Sequence, residues 1–119
     1  LELFTDVVAG LSLLPARDLA QHIGKEVTLL GWMVTEKVVS TKKGEPMEFV
    51  TLEDQTSLYD ATLFPDTYRQ YCHLLASNQA YLVTGVVEEH FATVTVTVTE
   101  LRPLSVSDTE EAMLLEEDA

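Results

Sequence analysis

The sequence predicts an all-β fold: a five-stranded Greek-key barrel with one helix between the third and fourth strands and a short helix ahead of the first. Three observations carry this expectation. Residues 93–99 alternate threonine with valine without a break, the period of a strand with one buried face. Residues 58–64 repeat the pattern, setting Tyr59, Ala61 and Leu63 against Leu58, Asp60 and Thr62. Pro65 closes that strand because it has no N–H for the ladder, and Tyr68, Tyr71, Leu74 and Leu75 then recur at helical spacing.

Taken in order, residues 1–13 mix apolar and acidic residues without a sustained period, so residues 1–14 are expected to be a linker from a preceding domain. Pro15 suits a first helical turn, Leu19 and Ile23 stand four apart, and Gly24 suits a C-terminal stop, which predicts a short helix. Residues 25–40 form a long first strand whose Gly31 marks the bend of a closing barrel. Along it Val27, Leu29, Gly31 and Met33 share one face. Thr28, Leu30, Trp32 and Val34 share the other, leaving Trp32 open to either packing or base stacking. Residues 47–52 make the second strand and stop at the turn formers of residues 53–57. Asp66 is expected to cap a helix over residues 67–76 that plugs the barrel, and residues 77–79 turn out of it. Residues 81–87 make the fourth strand, residues 88–92 a turn lacking the Asn-Gly signal, and residues 93–99 the fifth. The barrel domain is thus expected over residues 15–104. Residues 105–119 are expected to be an acidic, mobile tail with at most one or two helical turns around Met113, too short to persist without a docking surface.

A chain of 119 residues with 46% hydrophobic content supports one compact domain. It begins with Leu1 rather than Met, and the expectation is a segment of a longer protein. No apolar run approaches the ~20 residues that span a bilayer, which predicts no membrane partner and a cytoplasmic location. Cys72 is single and expected as helix filler, and His22, His73 and His90 are too scattered for a metal site. Neither metal nor cofactor is expected, and no catalytic residue: Glu53 and Asp54, adjacent at a strand end, point to opposite sides, whereas two-metal chemistry needs converging carboxylates. The net charge is −13. Six acids and no base fall in residues 105–119, but residues 27–104 still hold ten acids against five bases. Phosphate backbones are bound through Lys and Arg, so such a body predicts weak affinity for nucleic acid at physiological salt.

The chain is organised around residues 41–66, TKKGEPMEFVTLEDQTSLYDATLFPD: a basic glycine-bearing loop, a strand, a charged turn, a strand and a helix start. Preceded by VTLLGWMV and followed by YLVTGVVEE, this stretch resembles the oligonucleotide/oligosaccharide-binding (OB) module near the C-terminus of the bacterial DNA polymerase III alpha subunit. The resemblance covers about residues 15–104. It implies an OB-fold domain of tRNA-anticodon type that contacts single-stranded template DNA, weakly, beside other polymerase domains and replisome proteins. It places the polymerase carboxylates in an upstream domain. An interaction or spacer domain without DNA contact is the alternative, favoured by the acidic body and by Leu58. A class II tRNA synthetase anticodon-binding domain shares the Phe-x-x-Leu strand, but the TKKG loop and the Phe64-Pro65 pair argue against it.

OB barrels bind strands across the outer face of strands two and three, flanked by the loop after strand one and the loop between strands four and five. On this chain that selects Lys37, Lys42, Lys43 and Gly44 in and before the first loop, and His90 and Phe91 in the second. Adjacent ammonium groups on a pliable loop suit a phosphate; an ordinary solvated turn is the plainer reading. Phe49 and Thr51 on strand two point outward if Val50 and Leu52 point in, making Phe49 a stacking candidate, whereas the opposite register buries Phe49 as core; Thr62 shares the outer face of strand three. Against the family pattern, Ser57 stands where the resemblance implies a glycine, and Leu58 where a base often follows the turn.

Overall fold

A computed structural model describes residues 13–76 and 79–118. Five strands, β1 (Glu26–Ser40), β2 (Pro46–Glu53), β3 (Leu58–Leu63), β4 (Ala80–His90) and β5 (Thr93–Leu104), close into a barrel in the order β1-β2-β3-β5-β4. All neighbours are antiparallel except β3 and β5, which run parallel through Asp60↔Thr95, Ala61↔Val96 and Thr62↔Thr97. The five-stranded barrel expected from the alternating runs is the one observed. Val96 and Val98 are buried, as are Tyr59, Ala61 and Leu63 opposite them.

Two glycines make closure possible because their neighbours leave no room for a Cβ. At Gly31 a methyl would collide with the Tyr59 hydroxyl and the Leu52 side chain, and that hydroxyl donates to the Leu30 carbonyl at 2.9 Å. At Gly85 it would meet the Thr97 backbone, at the point where the β4–β5 register shifts. A second shift, between Met33 and Thr35 of β1, preserves the inward face beyond the bend: Met33 pairs with Leu52, and Glu36 with Val50.

The helical elements depart from expectation in instructive ways. Ahead of β1 lies a 3₁₀ helix, Ala16–Gln21, rather than a longer α-helix. Leu19 is buried, Ile23 is exposed, and Gly24 turns the chain with φ +87°. Leu13, read from sequence as linker, is buried and bridges to Thr28. The plug helix α1 spans Pro65–Tyr71 and continues as a 3₁₀ turn, Cys72–Leu74. Asp66 is not its cap. Phe64 occupies that position with Pro65 in the first turn, where a missing N–H costs nothing, and Asp66 pairs with Arg69 instead. Tyr68, Tyr71 and Leu75 pack on the core as expected of a plug. Tyr81 fixes its exit, donating to the Leu74 carbonyl and accepting from the Ala76 N–H, each at 2.7 Å.

Where a mobile tail was expected, the chain forms a helix, α2, Val106–Asp118. The surface that an isolated helix of this length requires is present: Ala112 is wholly buried with Leu13, Leu30, Ala80, Leu82 and Leu104. Thus the first half of β1 is covered on both faces, Leu29 and Met33 by the barrel core and Leu30 by the cluster beneath α2. Ser105 starts α2, accepting the Asp108 N–H on its hydroxyl at 3.1 Å. No helix of the described residues is long and apolar enough to cross a membrane.

Candidate nucleic-acid interface

The outer face of β2 and β3 is a consequence of register. Val50 and Leu52 point into the barrel, so Phe49 and Thr51 point out, with Phe49 roughly half-exposed at 46%. Opposite them stand Thr62 and Asp60, and beyond these, in the neighbouring rows, Lys37, Thr35 and Thr95. Together with Met47, Phe64, His90 and Thr93 these side chains enclose a groove of about 540 Å³.

Of the nine sequence-selected residues, five line the groove: Lys37, Phe49, Thr51, Thr62 and His90. Lys42, Lys43, Gly44 and Phe91 do not line it. The loop bearing Lys42 and Lys43 is also less pliable than its glycine suggested. Thr41 and Glu45 bond across it at 2.8 Å, and the Thr41 hydroxyl accepts from the N–H groups of Lys43 and Glu45. Gly44 holds φ +80°, a conformation that penalises any side chain. Both lysines are exposed, and neither forms an ion pair among the described residues. Arg69, by contrast, is committed internally: it binds Glu45 and, at 2.8 Å, Asp66, tying the loop to α1.

At the other end, the β4–β5 turn is only two residues long, with His90 paired to Thr93. Phe91 and Ala92 both have positive φ, 54° and 65°, which a two-residue hairpin turn of this twist demands and which Asn-Gly usually supplies. The Phe91 ring is fully exposed at the tip. His90 lies 3.5 Å from Glu88, whose carboxylate accepts the Thr97 hydroxyl at 2.5 Å; that bond first, and His90 second, hold Glu88 below the usual carboxylate range.

Two groove features were not selected from sequence. Phe64 lines the groove and is 47% exposed. Its signal was available, since it shares strand parity with Asp60 and Thr62. Asp60 places a carboxylate in the groove, accepting the Thr51 hydroxyl at 2.9 Å. Behind the groove wall Glu48 is buried, with no hydrogen-bond partner for its Oε2 among the described residues. Burial, and then the carboxyl of Glu36, push its pKa up to about 7. Asp54, once considered as half of a carboxylate pair, is a structural anchor instead, bonding Ala16, Thr56 and Ser57 through its side chain.

Comparison with known proteins gives this geometry a family. Residues 27–104 match the model of the OB-fold nucleic acid binding domain of tRNA-anticodon type. The chain belongs to that family. Among curated relatives, the OB-fold chain is 33% identical over 94 residues to an error-prone DNA polymerase of Symbiobacterium thermophilum, covering 76% of this chain and 9% of that protein. It is 34% identical over 64 residues to the DNA polymerase III subunit alpha of Escherichia coli O157:H7, covering 54% of this chain and 6% of the relative. The chain therefore spans under a tenth of the length of these relatives. Its fold also matches a chain of a Replication Protein A heterotrimer bound to ssDNA, with TM-score 0.63 at 16% identity, over 79% of this chain and 67% of that one.

Proposed function

We propose that this OB-fold domain holds single-stranded template DNA for a DNA polymerase of the III alpha type, with the polymerase chemistry residing elsewhere in a longer, cytoplasmic parent. The observation that supports this most is the groove itself. An aromatic ring, Phe49, stands exposed on β2, on the face opposite the buried Val50 and Leu52. Such a ring stacks on a base for ~1–3 kcal/mol. Lys37 at the same row and the unpaired Lys42 and Lys43 beyond it supply phosphate contacts. With two or three such contacts, affinity is weak and falls with salt at a log–log slope of about −1.5 to −2. Weak affinity suffices for a tethered domain, whose effective concentration on neighbouring DNA reaches the millimolar range.

The test is a titration of fluorescent oligo-dT at several salt concentrations. Binding at low salt that weakens on this slope, and is lost in Lys42→Glu/Lys43→Glu, supports the reading. Saturable binding indifferent to salt and to both reversals removes the phosphate contacts from it.

A second reading, an interaction domain that touches other polymerase domains or replisome proteins rather than DNA, is favoured by a different surface. Trp32 is 43% exposed and, with Met113 of α2, borders depressions of about 300 and 520 Å³ away from the groove. Absence of DNA binding at any salt selects this reading.

A further inference from the structure

The groove that we read as a single-strand site contains a group that phosphate binding does not explain. Asp60 is exposed and lies in it, in the row next to Phe49: Thr35, Thr51, Asp60 and Thr95 form one rung, and Lys37, Phe49, Thr62 and Thr97 the next. Diagonal neighbours on such a face sit about 7–8 Å apart, within reach of a flat ring lying over one of them. A base stacked on Phe49 therefore carries its polar edge toward Asp60, while Lys37, on the far side of Phe49 in its own rung, is placed to meet the backbone.

The chemistry at Asp60 is one-sided. A carboxylate only accepts hydrogen bonds. The Thr51 hydroxyl donates into it at 2.9 Å, which holds the carboxylate in place and withdraws that donor from a ligand. Thr35 and Thr95 add hydroxyls that donate or accept, so within this rung Asp60 is the group that can only accept. Cytosine offers an exocyclic amino group to such an acceptor, as adenine and guanine do. Thymine offers two carbonyls flanking a single N–H, and its carbonyl oxygens face the carboxylate repulsively. Carboxylates are the acceptors expected for the cytosine amino group in base readout generally.

We propose that Asp60 gives this groove a base preference, favouring strands of amino-bearing bases and disfavouring thymine. The preference rests on the reading of the groove as a single-strand site, but it makes a separate claim: the acid that weakens phosphate attraction is retained in the groove as a base-edge acceptor. It also fixes the polarity of binding across the face, with base edges toward β3 and the backbone toward β1.

Oligo-dC and oligo-dT of equal length separate the two claims, because both are flexible pyrimidine tracts with the same phosphate charge. Binding of each to the 119-residue protein is measured at low salt, with Asp60→Asn and Asp60→Ala alongside. Asp60 is exposed and, among the described residues, its side-chain bond is to Thr51, so neither substitution removes core packing. The wild-type protein is expected to bind oligo-dC roughly five-fold more tightly, the effect of one good edge contact. Both variants are expected to bring the ratio below about two-fold while strengthening binding of oligo-dT, since a negative charge leaves the groove. Equal affinities in the wild type, or a preference that survives both substitutions, overturn the assignment of Asp60 and leave the single-strand site standing. Failure to bind either homopolymer removes the site, and the preference with it.

Discussion

The carboxylate of Asp54 accepts the backbone N–H of Ala16 at 2.7 Å, across 38 residues of sequence. Its other oxygen takes the N–H groups of Thr56 and Ser57 at 2.7 and 2.9 Å, so one buried side chain shapes the β2–β3 turn and seats the N-terminal 3₁₀ helix on it. Removing it leaves three backbone donors without their partner. Asp54→Ala is expected to lower stability by about 2–4 kcal/mol, read from the urea midpoint, with Asp54→Asn intermediate. A change below about 0.5 kcal/mol contradicts the anchoring role.

Glu48 makes the stability of the barrel depend on pH in an unusual direction. Its carboxyl, raised from 4.5 to about 7 by burial and by Glu36, holds its proton more firmly in the folded chain than in the unfolded one. Stability therefore declines as pH rises from about 4.5 to 7 and levels off above, the reverse of an ion-paired acid. Glu48→Gln, neutral throughout, is expected to match the wild type near pH 4 and to exceed it by on the order of 2 kcal/mol at pH 8. Parallel denaturation curves at the two pH values decide this.

The turn between β4 and β5 is strained by its residue choice. Ala92 sits at φ 65°, where a side chain costs roughly 1 kcal/mol relative to glycine. Ala92→Gly is expected to raise stability by about that amount in thermal unfolding. A destabilisation, as at an ordinary strand position, refutes the assigned turn geometry.

Phe49 and Phe64 are expected to separate binding from folding. Each is nearly half-exposed, so alanine at either position shifts stability by less than about 1 kcal/mol. In the DNA titration, Phe49→Ala is expected to weaken binding about five-fold or more, and Phe64→Ala by less. Equal affinity for wild type and Phe49→Ala excludes stacking on that ring.

Gly31 tests closure. An alanine there meets the Tyr59 hydroxyl and the Leu52 side chain, and Gly31→Ala is expected to cost about 2 kcal/mol or more. Tyr59→Phe in the same chain is expected to restore part of that loss by opening space for the methyl, which a double-mutant cycle measures.

What could be read from the sequence follows the range of the forces involved. Strands were legible because alternation is local: Val94 to Val98 and Tyr59 to Leu63 declare their inner faces without reference to anything else. The direction of Phe49 was not, since Met47, Phe49 and Val50, Leu52 offer an apolar face in either register, and only the barrel turns Val50 and Leu52 inward. Helix ends were less legible because Pro65 and Asp66 are both start signals one residue apart, and Pro65 took precedence. The helix α2 was not legible, since its docking surface gathers Ala112 with Leu13, Leu30 and Leu82, residues far away in sequence. Nor was the burial of Glu48, which is set between Val38 of β1 and Leu63 of β3 by the pairing of three strands. In the groove, parity would have yielded Phe64. That Asp60 faces the Thr51 hydroxyl depends on a pairing register that no single strand encodes.

The β2–β3 turn also receives the far end of the chain: Gln55 donates from its side-chain amide to the Met113 carbonyl at 2.9 Å. Entry and exit of the domain are thus fastened to one clasp, at the root of the two strands that bear Phe49 and Asp60. In a longer polypeptide both flanks therefore bear on one side of the barrel, the leading one on Thr28 through Leu13 and on the β2–β3 turn through Ala16, the trailing one on that turn through Gln55 and on Leu30 and Leu104 through Ala112.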